Sequence, residues 1–525
     1  MMRLKTIFFL FFLISISSCK KEPTTWITDW SIPLIKDTLT FDNWVDSGFV
    51  SVNTGQSLDI TYKRELFSFD INEYVNIPDT TVEQNFVIPV PSIFASPGAN
   101  FVNDVDEFTF DLDDVELRQV VVDAGVALVE IINPLDIPAI FNITLPGVEK
   151  DGNVFQTTET VPAMLNGVLG KKQFTIDFSG YTLDLTGELG NSFNKLQSIM
   201  QVSSSPDGPS TLITDTDIFT FTFSLSDIEL SYARGYFGNL ILEDAQNLDL
   251  DILNRITSGS IDVENVQIAL TLENGIKAAG QAKINTISSF NSNQNTSVSL
   301  SNQDIGVLKN INPATGSWST LTPSLTAYSF SSSNSNIEQF IENLGSQYTV
   351  DYAVELNPLG NTSGGFDEIF GNSKLALNLE ATMPLQLGVN QLVFTDTLDF
   401  DFNQSTNQTK VIEGEIRVET QNSFPFSGQL IIGLLDENNV LLTTLSSAEN
   451  IAEAYSTTTT ISPVPLVENS LNYTLSNTQL QMLDKTKKII YTAILDASAG
   501  GVQTVYADSQ LIIDLFTNFN VQASF

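Results

Sequence analysis

Carboxylates are the reactive side chains that this chain offers in greatest number, with 62 Asp and Glu residues against 23 Lys and Arg. Seven of them lie between Asp104 and Glu116, and Ca²⁺ prefers several convergent carboxylate oxygens. Asp111, Asp113 and Asp114 are therefore weak calcium candidates, although they do not match the helix-loop-helix calcium spacing. Asp111 and Asp113 are predicted to lie on the polar face of a strand, where charge discourages aggregation. We favour this solvated edge over a metal site.

The chain contains no histidine and one cysteine. Ser-His-Asp and Cys-His catalytic sites, His-containing zinc sites and cysteine clusters are thereby excluded. Carboxylate acid-base chemistry, a Ser-Lys pair and hard-cation binding remain open. A glycoside hydrolase needs two carboxylates about 5 to 10 Å apart, and so acidic a chain offers such pairs by chance. We expect a protein without enzymatic activity or cofactor, with a carboxylate-dependent hydrolase as the less favoured alternative.

The single cysteine, Cys19, ends a segment that is typical of a secretory signal. Arg3 and Lys5 form a basic start, residues 7–16 are almost wholly apolar, and two serines precede the thiol. The apolar stretch is too short for a good membrane-spanning helix, and its flanks favour cleavage. We predict a signal peptide over residues 1–18 that is cleaved between Ser18 and Cys19. An ordinary signal peptide with a chance cysteine is the alternative.

The residues before Cys19 resemble the lipobox of Gram-negative lipoproteins. This resemblance implies that Cys19 carries a diacylglycerol anchor and a further fatty acid such as palmitate. Lys20 lacks the acidic character that favours retention in the inner membrane of enteric bacteria, which favours the outer membrane. The sequence Lys20-Lys21-Glu22 is less acidic than known surface-export tags, which favours the periplasmic face over the cell surface.

The formal net charge of −39 bears on the partners. A protein that binds phosphates needs a basic face, so nucleic acid is not an expected partner. The same charge repels anionic lipid headgroups, and membrane attachment is therefore expected through Cys19 alone.

Alternation of apolar and polar residues with period two recurs from residue 105 to the C-terminus and predicts half-buried strands. The clearest run is Phe219 to Leu225, in which apolar residues interleave with Thr and Ser. The pattern predicts an all-β fold of several antiparallel β-sandwich modules in tandem, with a few short helices. Helices are predicted after Asn336, over 192–200 and over 478–484.

Polar low-complexity stretches suggest where modules meet. The Trp- and Pro-rich N-terminal region is predicted to form edge strands or a strap laid over a later domain. The expected units are the signal peptide 1–18, an anchor-proximal strap over 19–103, β-sandwich modules over 104–208 and 209–333, and one or more C-terminal modules over 334–525.

Three stretches share a pattern in which an apolar strand runs into Asn, then into a turn-forming or small residue, and then into a second apolar run. Asn can bond its own downstream amide, and an adjacent Pro or Gly prevents straight continuation, so the pattern predicts a strand that kinks and resumes. A generic strand-turn-strand unit is the alternative, and a weaker fourth copy lies at Asn357. The residues of the three copies are Asn133, Pro134 and Pro138; Asn274 and Gly275; and Asn422 and Pro425.

The segment from Asn133-Pro134 to Pro138 resembles the signature of the late-embryogenesis-abundant, water-stress (WHy) β-sandwich. The resemblance implies small sandwich repeats that serve in bacterial envelope lipoproteins, are distantly similar to tubular lipid-binding domains and have no catalytic residues. With its lipobox, the chain also resembles large outer-membrane lipoproteins of the Bacteroidota type.

These observations favour a non-enzymatic envelope lipoprotein that acts as a scaffold or as a carrier of an apolar ligand. Its expected partners are the membrane, through Cys19, and an envelope protein or apolar ligand. A sealed core would favour the scaffold, and an elongated apolar cavity the carrier. A surface glycan-binding lipoprotein is the alternative, and it would use exposed Trp or Tyr rings as platforms.

Overall fold

The computed structural model describes most of the chain, and it is built from antiparallel strands with a few short helices. The prediction of an all-β, multi-sheet fold is confirmed. Among the described residues, no helix is both long and apolar enough to cross a bilayer. The described ranges are 25–40, 50–52, 57–75, 77–248, 258–400, 409–455, 463–497 and 501–524.

Most elements of the N-terminal region pair with strands that come later in the chain. The elements of this region are β1 (Thr25–Thr40), β2 (Val50–Val52), β3 (Leu58–Phe69), α1 (Ile71–Tyr74), β4 (Thr80–Phe86) and β5 (Ser92–Ala95).

The first sandwich spans residues 100–236. Its strands are β6 (Asn100–Thr109), β7 (Glu116–Asn133), β8 (Ala139–Lys150), β9 (Asn153–Val161), β10 (Gly170–Asp177), β11 (Thr182–Asp184), β12 (Lys195–Ser204), β13 (Thr211–Thr214) and β14 (Phe219–Tyr236).

The second sandwich spans residues 240–384. Its elements are β15 (Leu240–Leu248), β16 (Ser258–Val263), β17 (Gln267–Asn274), β18 (Gly280–Asn291), β19 (Thr296–Ser299), β20 (Lys309–Ile311), a 3₁₀ turn (Trp318–Thr320), β21 (Ser324–Ser331), α2 (Ile337–Glu342), β22 (Gln347–Leu356), β23 (Asp367–Phe370) and β24 (Leu375–Pro384).

The third sandwich spans residues 386–524. Its elements are β25 (Gln386–Asp399), β26 (Thr409–Asn422), β27 (Ser427–Leu435), β28 (Leu441–Ser446), β29 (Val467–Thr474), α3 (Asn477–Leu483), β30 (Lys488–Asp496), β31 (Gln503–Thr504) and β32 (Gln510–Ser524).

The three sandwiches share one topology. In each, the long strand that ends in Asn (β7, β17, β26) lies between a later strand (β10, β21, β29) and the last strand (β14, β24, β32). The strand after the Asn (β8, β18, β27) pairs instead with a hairpin partner (β9, β19, β28) and with β12, β22 or β30. Strands β12, β22 and β30 pair in turn with the opening strands β6, β15 and β25. The three sandwiches are therefore internal structural repeats.

The last strand of each sandwich pairs with one strand from the N-terminal region, in reverse order along the chain. β1 pairs with β32 of the third sandwich, β3 with β24 of the second and β4 with β14 of the first. β1 starts opposite Ser524, so residue 25 and the C-terminal strand end lie together. The N-terminal region thus runs along all three sandwiches before the chain folds back through them.

The strand pairing divides the chain differently from the expected modules 104–208, 209–333 and 334–525. β14 lies beyond residue 208 but pairs along the length of β7, and β24 lies beyond residue 333 but pairs with β17. The polar stretches that suggested boundaries are turns within sandwiches, since the closing strand of each follows them. The real divisions are the short connections at 237–239 and 385.

Two of the three predicted helices are present. α2 starts after Asn336 and buries Ile337, Phe340 and Ile341, and α3 starts after Ser476, which forms a capping box with Gln479. The side chain of Asn336 does not cap α2; its oxygen accepts from the amide of Ser301 at 2.6 Å. The helix predicted over 192–200 is wrong, because its apolar residues continue at period two into strand β12.

The interior of each sandwich is filled by alternate strand residues. In β14, Phe219, Phe221, Phe223 and Leu225 are buried, as the alternation predicts. The rings of Phe108 and Phe223 stack at 5.6 Å between centroids, with planes 11° apart. Such packing gives each sandwich a core made of side chains from both sheets.

Candidate functional site: asparagine kinks and the ends of the three sandwiches

The three predicted asparagines occupy equivalent and buried positions. Asn133, Asn274 and Asn422 are each 1% exposed or less. The side-chain oxygen of each accepts from the backbone amide two residues later, at 3.0, 2.9 and 2.9 Å. The side-chain nitrogen of each donates to the carbonyl four residues later, at 2.9, 3.1 and 3.0 Å. Each Asn therefore folds its own downstream chain into a turn.

Each asparagine also donates to a distant carbonyl, and this bond fixes where the hairpin returns. Asn133 bonds Pro162 at 3.0 Å, Asn274 bonds Asn312 at 2.9 Å and Asn422 bonds Ala452 at 2.8 Å. The partners lie 29, 38 and 30 residues downstream, after the hairpin strands. The shared geometry makes the three copies structurally equivalent, including the two copies that lack the proline after Asn.

The kink transfers the chain between sheets, which differs from the predicted strand that kinks and resumes. The strands before and after each Asn do not pair with each other and have separate partners, except that the short strand β11 pairs with both β7 and β8 in the first sandwich. Apolar residues two and four positions after the Asn are buried and enter the core. They are Leu135 and Ile137, Ile276 and Ala278, and Phe424 and Phe426.

The residue six positions after each Asn is small: Ala139, Gly280 and Gly428. A Cβ atom on Gly280 would lie 2.6 Å from the carbonyl oxygen of Glu355, and one on Gly428 would lie 2.7 Å from that of Ile494. Neighbouring strand backbones therefore approach closely here.

The prolines and Gly275 lie within the turns. Pro134 and Pro138 are half-buried, and Pro425 is buried. Gly275 donates to the carbonyl of Lys374 at 2.7 Å, and a Cβ there would lie 2.8 Å from the Lys374 amide nitrogen. Asn357, the weaker fourth copy, bonds Gly238 and Asp367 instead and does not share the geometry.

The calcium candidates lie on a turn instead of a strand face. β6 ends at Thr109 and β7 begins at Glu116, so Asp111, Asp113 and Asp114 occupy the connection. All three are exposed, and Asp113 has a φ of 51°. In the described parts of the chain, no three acidic or thiol side chains converge to hold a metal ion. Ser18 and Cys19 lie outside the described residues.

The asparagines also define the ends of the sandwiches. We call the end that carries the Asn the kink end and the opposite end the base. The base of the first sandwich contacts the kink end of the second, through pairing of β14 with β23. The base of the second contacts the kink end of the third, where β16 and β31 both pair with β25. β1 begins at the base of the third sandwich.

The joint between the first and second sandwiches is aromatic and charged. Trp318 of the second stacks on Tyr232 of the first, with centroids 5.6 Å apart, and the Arg118 guanidinium lies 4.9 Å from the Phe366 ring centre. The phenol of Tyr232 donates to Glu368 at 2.7 Å. Burial raises the pKa of Glu368, but hydrogen bonds from Lys277 and Tyr232 outweigh it and hold that pKa below its ordinary value.

Within the described ranges, no sandwich precedes the first one, and apolar side chains at its kink end are exposed. We call this surface the tip; it comprises residues 86–99, 133–139, 161–170 and 204–219. Phe94 is 68% exposed, Leu165 and Val168 are 72%, and Leu212 is 58%. The tip contains none of the residues predicted as binding sites except the first kink motif, and its one signal in the sequence is the number of apolar residues in its loops.

An open cleft of about 670 Å³ lies at the base of the third sandwich. Its walls include Trp30, the carboxylates of Asp29, Glu413 and Glu415, and the amide side chains of Asn477, Asn518 and Asn520. Trp30 is 48% exposed and donates from Nε1 to Thr28 at 3.0 Å. The cleft therefore combines an aromatic ring with hydrogen-bonding groups.

No protein-family model and no curated protein sequence matches the chain. Its fold is similar to that of several solved structures at low scores. A protein assigned as secreted from Parabacteroides distasonis is 9% identical over 94% of this chain and 99% of that one, with a TM-score of 0.27. A peptide-N(4)-(N-acetyl-β-D-glucosaminyl) asparagine amidase is 12% identical over 58% of this chain and 96% of that one, with a TM-score of 0.15.

Proposed function

We propose that this protein is a non-enzymatic, lipid-anchored envelope scaffold that holds the tip away from the membrane. The position of β1 carries the proposal. β1 begins at the base of the third sandwich, and the tip is the kink end of the first, with the second sandwich between them. Cys19 precedes Thr25 by six residues, which span at most about 20 Å when extended. Acyl chains on Cys19 would therefore hold the third sandwich next to the bilayer.

The packed interiors favour a scaffold over a carrier of an apolar ligand. In the first sandwich, Phe101 contacts Phe219 and Phe178 contacts Phe223, with centroids 5.4 and 6.0 Å apart. These rings occupy the space that a lipid chain would need. We further propose that the sandwiches are of the water-stress type and that the anchor lies in the outer membrane, on its periplasmic face.

Metabolic labelling with a palmitate analogue tests the anchor. The wild type should be labelled and should fractionate with membranes, whereas Cys19→Ala should lose the label. Ser18→Ala is the matched control, because it keeps a small residue at the cleavage position and should keep the label. Equal labelling of the wild type and Cys19→Ala, or an unlabelled wild type, would refute the proposal.

The cleft at the base of the third sandwich supports a second candidate function, the binding of a neutral glycan. An aromatic face packs against the apolar side of a sugar ring, and amides and carboxylates bond its hydroxyls. Binding of neutral oligosaccharides to the purified protein should weaken at least tenfold in Trp30→Ala. Trp26→Ala is the control, because Trp26 is exposed on the same strand but does not line the cleft. Equal binding by the two variants, or none by the wild type, would exclude this candidate.

A further inference from the structure

The internal triplication shows what covers a kink end. In the second sandwich, the loop that follows the hairpin carries Trp318, which stacks on Tyr232 of the preceding sandwich. The rings of Tyr232 and Phe370 lie 5.1 Å apart across the same joint, and Phe370 is 1% exposed. The cover over this kink end is therefore the end of a β-sandwich that presents aromatic and arginine side chains.

The kink end of the third sandwich is also covered. Tyr455, in the equivalent loop, packs on Tyr506 of the same sandwich at 5.7 Å between ring centroids. Residues beside Tyr506 bond the preceding sandwich: Val505 donates to the Leu385 carbonyl at 2.9 Å and accepts from Leu58 at 3.3 Å. Val505 and Tyr506 are both buried. Two equivalent kink ends are thus closed by a neighbouring sandwich.

The tip is the third equivalent surface, and its loop occupies the position of the Trp318 and Tyr455 loops. There Leu165 and Val168 close a small bridge of two hydrogen bonds, at 2.9 and 3.0 Å, that leaves both side chains in solvent. Phe94 and Leu212 face each other across the β5–β13 ladder and are also exposed. Large exposed apolar side chains grouped at one end of a domain are typical of interaction sites.

The charge of the tip indicates the chemistry of its partner. The four tip segments contain no Lys or Arg and four aspartates: Asp136, Asp207, Asp215 and Asp217. Two tips brought together would place eight carboxylates in one interface, which opposes a tip-to-tip dimer. A partner with arginine or lysine beside apolar groups is complementary, as Arg118 and Arg234 are over Phe366.

We propose that the tip is a docking surface for a different protein, whose contacting face is the end of a β-sheet domain that carries aromatic and arginine or lysine side chains. This inference deepens the proposed function and rests on it in one respect. The base of a second copy is excluded as the partner because the anchor holds that base against the membrane.

Site-specific photocrosslinking in the native envelope tests the docking surface. The crosslinking residue replaces Leu212 in the full chain, and the joined peptide is sequenced by mass spectrometry. The expected adduct joins one other protein at a strand end or loop that contains Arg or Lys. Adding Leu165→Asp and Val168→Asp should reduce the yield about tenfold or more, because a charge would be buried at the interface centre. Leu189→Asp, at the base of the first sandwich and 82% exposed, should leave the yield unchanged.

Several outcomes would overturn the inference. They are an adduct with a second copy, an adduct with lipid, an adduct at an acidic surface, the absence of any adduct, and an equal loss of yield in Leu189→Asp. Urea unfolding of each variant shows that the fold is retained. The acyl label on Cys19 is measured in the same cells, so loss of the label with an intact adduct counts against the anchor and leaves the docking surface standing.

Discussion

The phenol of Tyr328 donates a hydrogen bond of 2.9 Å to the backbone carbonyl of Ala282, and this bond ties the two sheets of the second sandwich together. Tyr328 lies in β21, beside the strand that ends in Asn274, and Ala282 lies in β18, eight positions after that Asn. The third sandwich repeats the tie between Tyr473 and Leu430, at 2.7 Å.

Replacement of either tyrosine by phenylalanine removes one buried bond and leaves a carbonyl unpaired. We expect Tyr328→Phe and Tyr473→Phe each to lower the free energy of unfolding by about 1 to 2 kcal/mol, as is usual for a buried bond whose partner loses its donor. Urea unfolding of the full chain, followed by circular dichroism, measures the change. Two variants with wild-type midpoints would show that the ties do not hold the sheets.

The kink asparagines should be more sensitive than the tyrosines, because each makes at least three bonds. We expect Asn274→Ala and Asn422→Ala to cost about 2 to 4 kcal/mol each, since an amide and at least two carbonyls lose their partners. Asn293→Ala is the control, because Asn293 is exposed on a turn and should change stability by less than about 0.5 kcal/mol. If Asn293→Ala lowered the free energy of unfolding as much as the two kink variants do, the stabilising role of the kink would be contradicted.

Gly275 should not accept even a methyl group. Its Cβ would meet the backbone of Lys374, which directly precedes the closing strand β24 and cannot move without it. We expect Gly275→Ala to destabilise the chain by about 1 to 3 kcal/mol through overpacking. Gly501→Ala is the matched control, because a Cβ on Gly501 meets no atom within 4 Å. Thermal unfolding gives the midpoint of each variant. Equal midpoints for Gly275→Ala and Gly501→Ala would refute the close approach of the backbone at Gly275 and Lys374.

The pH dependence of stability should be flat around neutrality and fall in alkali. Without histidine, side chains with ordinary pKa values do not titrate between about pH 6 and 9. Burial raises the pKa of Tyr328, Tyr348 and Tyr352 to about 12, from an ordinary value of 10.0. An acid with a raised pKa stays protonated in the folded state while the unfolded chain ionises, so stability falls as the pH rises from 10 towards 12.

Ultraviolet absorbance of the phenolate and circular dichroism, recorded in one alkaline titration, measure this effect. The buried phenols should ionise together with loss of structure. Ionisation of all twelve tyrosines near pH 10 with the fold intact would contradict the prediction.

The local features of the fold follow from the sequence, and the long-range ones do not. Alternation identified β14 and β24, and the Asn-centred pattern identified the kinks, because both depend on a few adjacent residues. The same alternation was misread at Leu196 and Met200, because a spacing of four residues fits one face of a helix as well as one face of a strand. No local sequence pattern indicates that β1 pairs with β32, because Thr25 and Ser524 are distant in the sequence and meet only in the folded chain. The predicted module boundaries differ from the observed divisions because the closing strand of each sandwich follows a polar turn. Only long-range pairing shows that this strand belongs to the sandwich before the turn.

The tip was also beyond prediction from the sequence. Leu165 lies in a loop and Leu212 in β13, far apart in the sequence, and both are exposed because no preceding sandwich covers them among the described residues. Only the equivalent loop of the second sandwich, in which Trp318 stacks on Tyr232 of the preceding sandwich, shows that such a loop occupies an interface position.

The course of β1 has a mechanical consequence. A pull on the chain before Thr25, directed away from the tip, acts along the axis of a strand that is bonded to β32 over its whole length. Those hydrogen bonds then share the load in shear and must break together, whereas a pull across the strand would open them singly. The pairing of β1 with β32 therefore resists a pull along the strand more strongly than a pull across it.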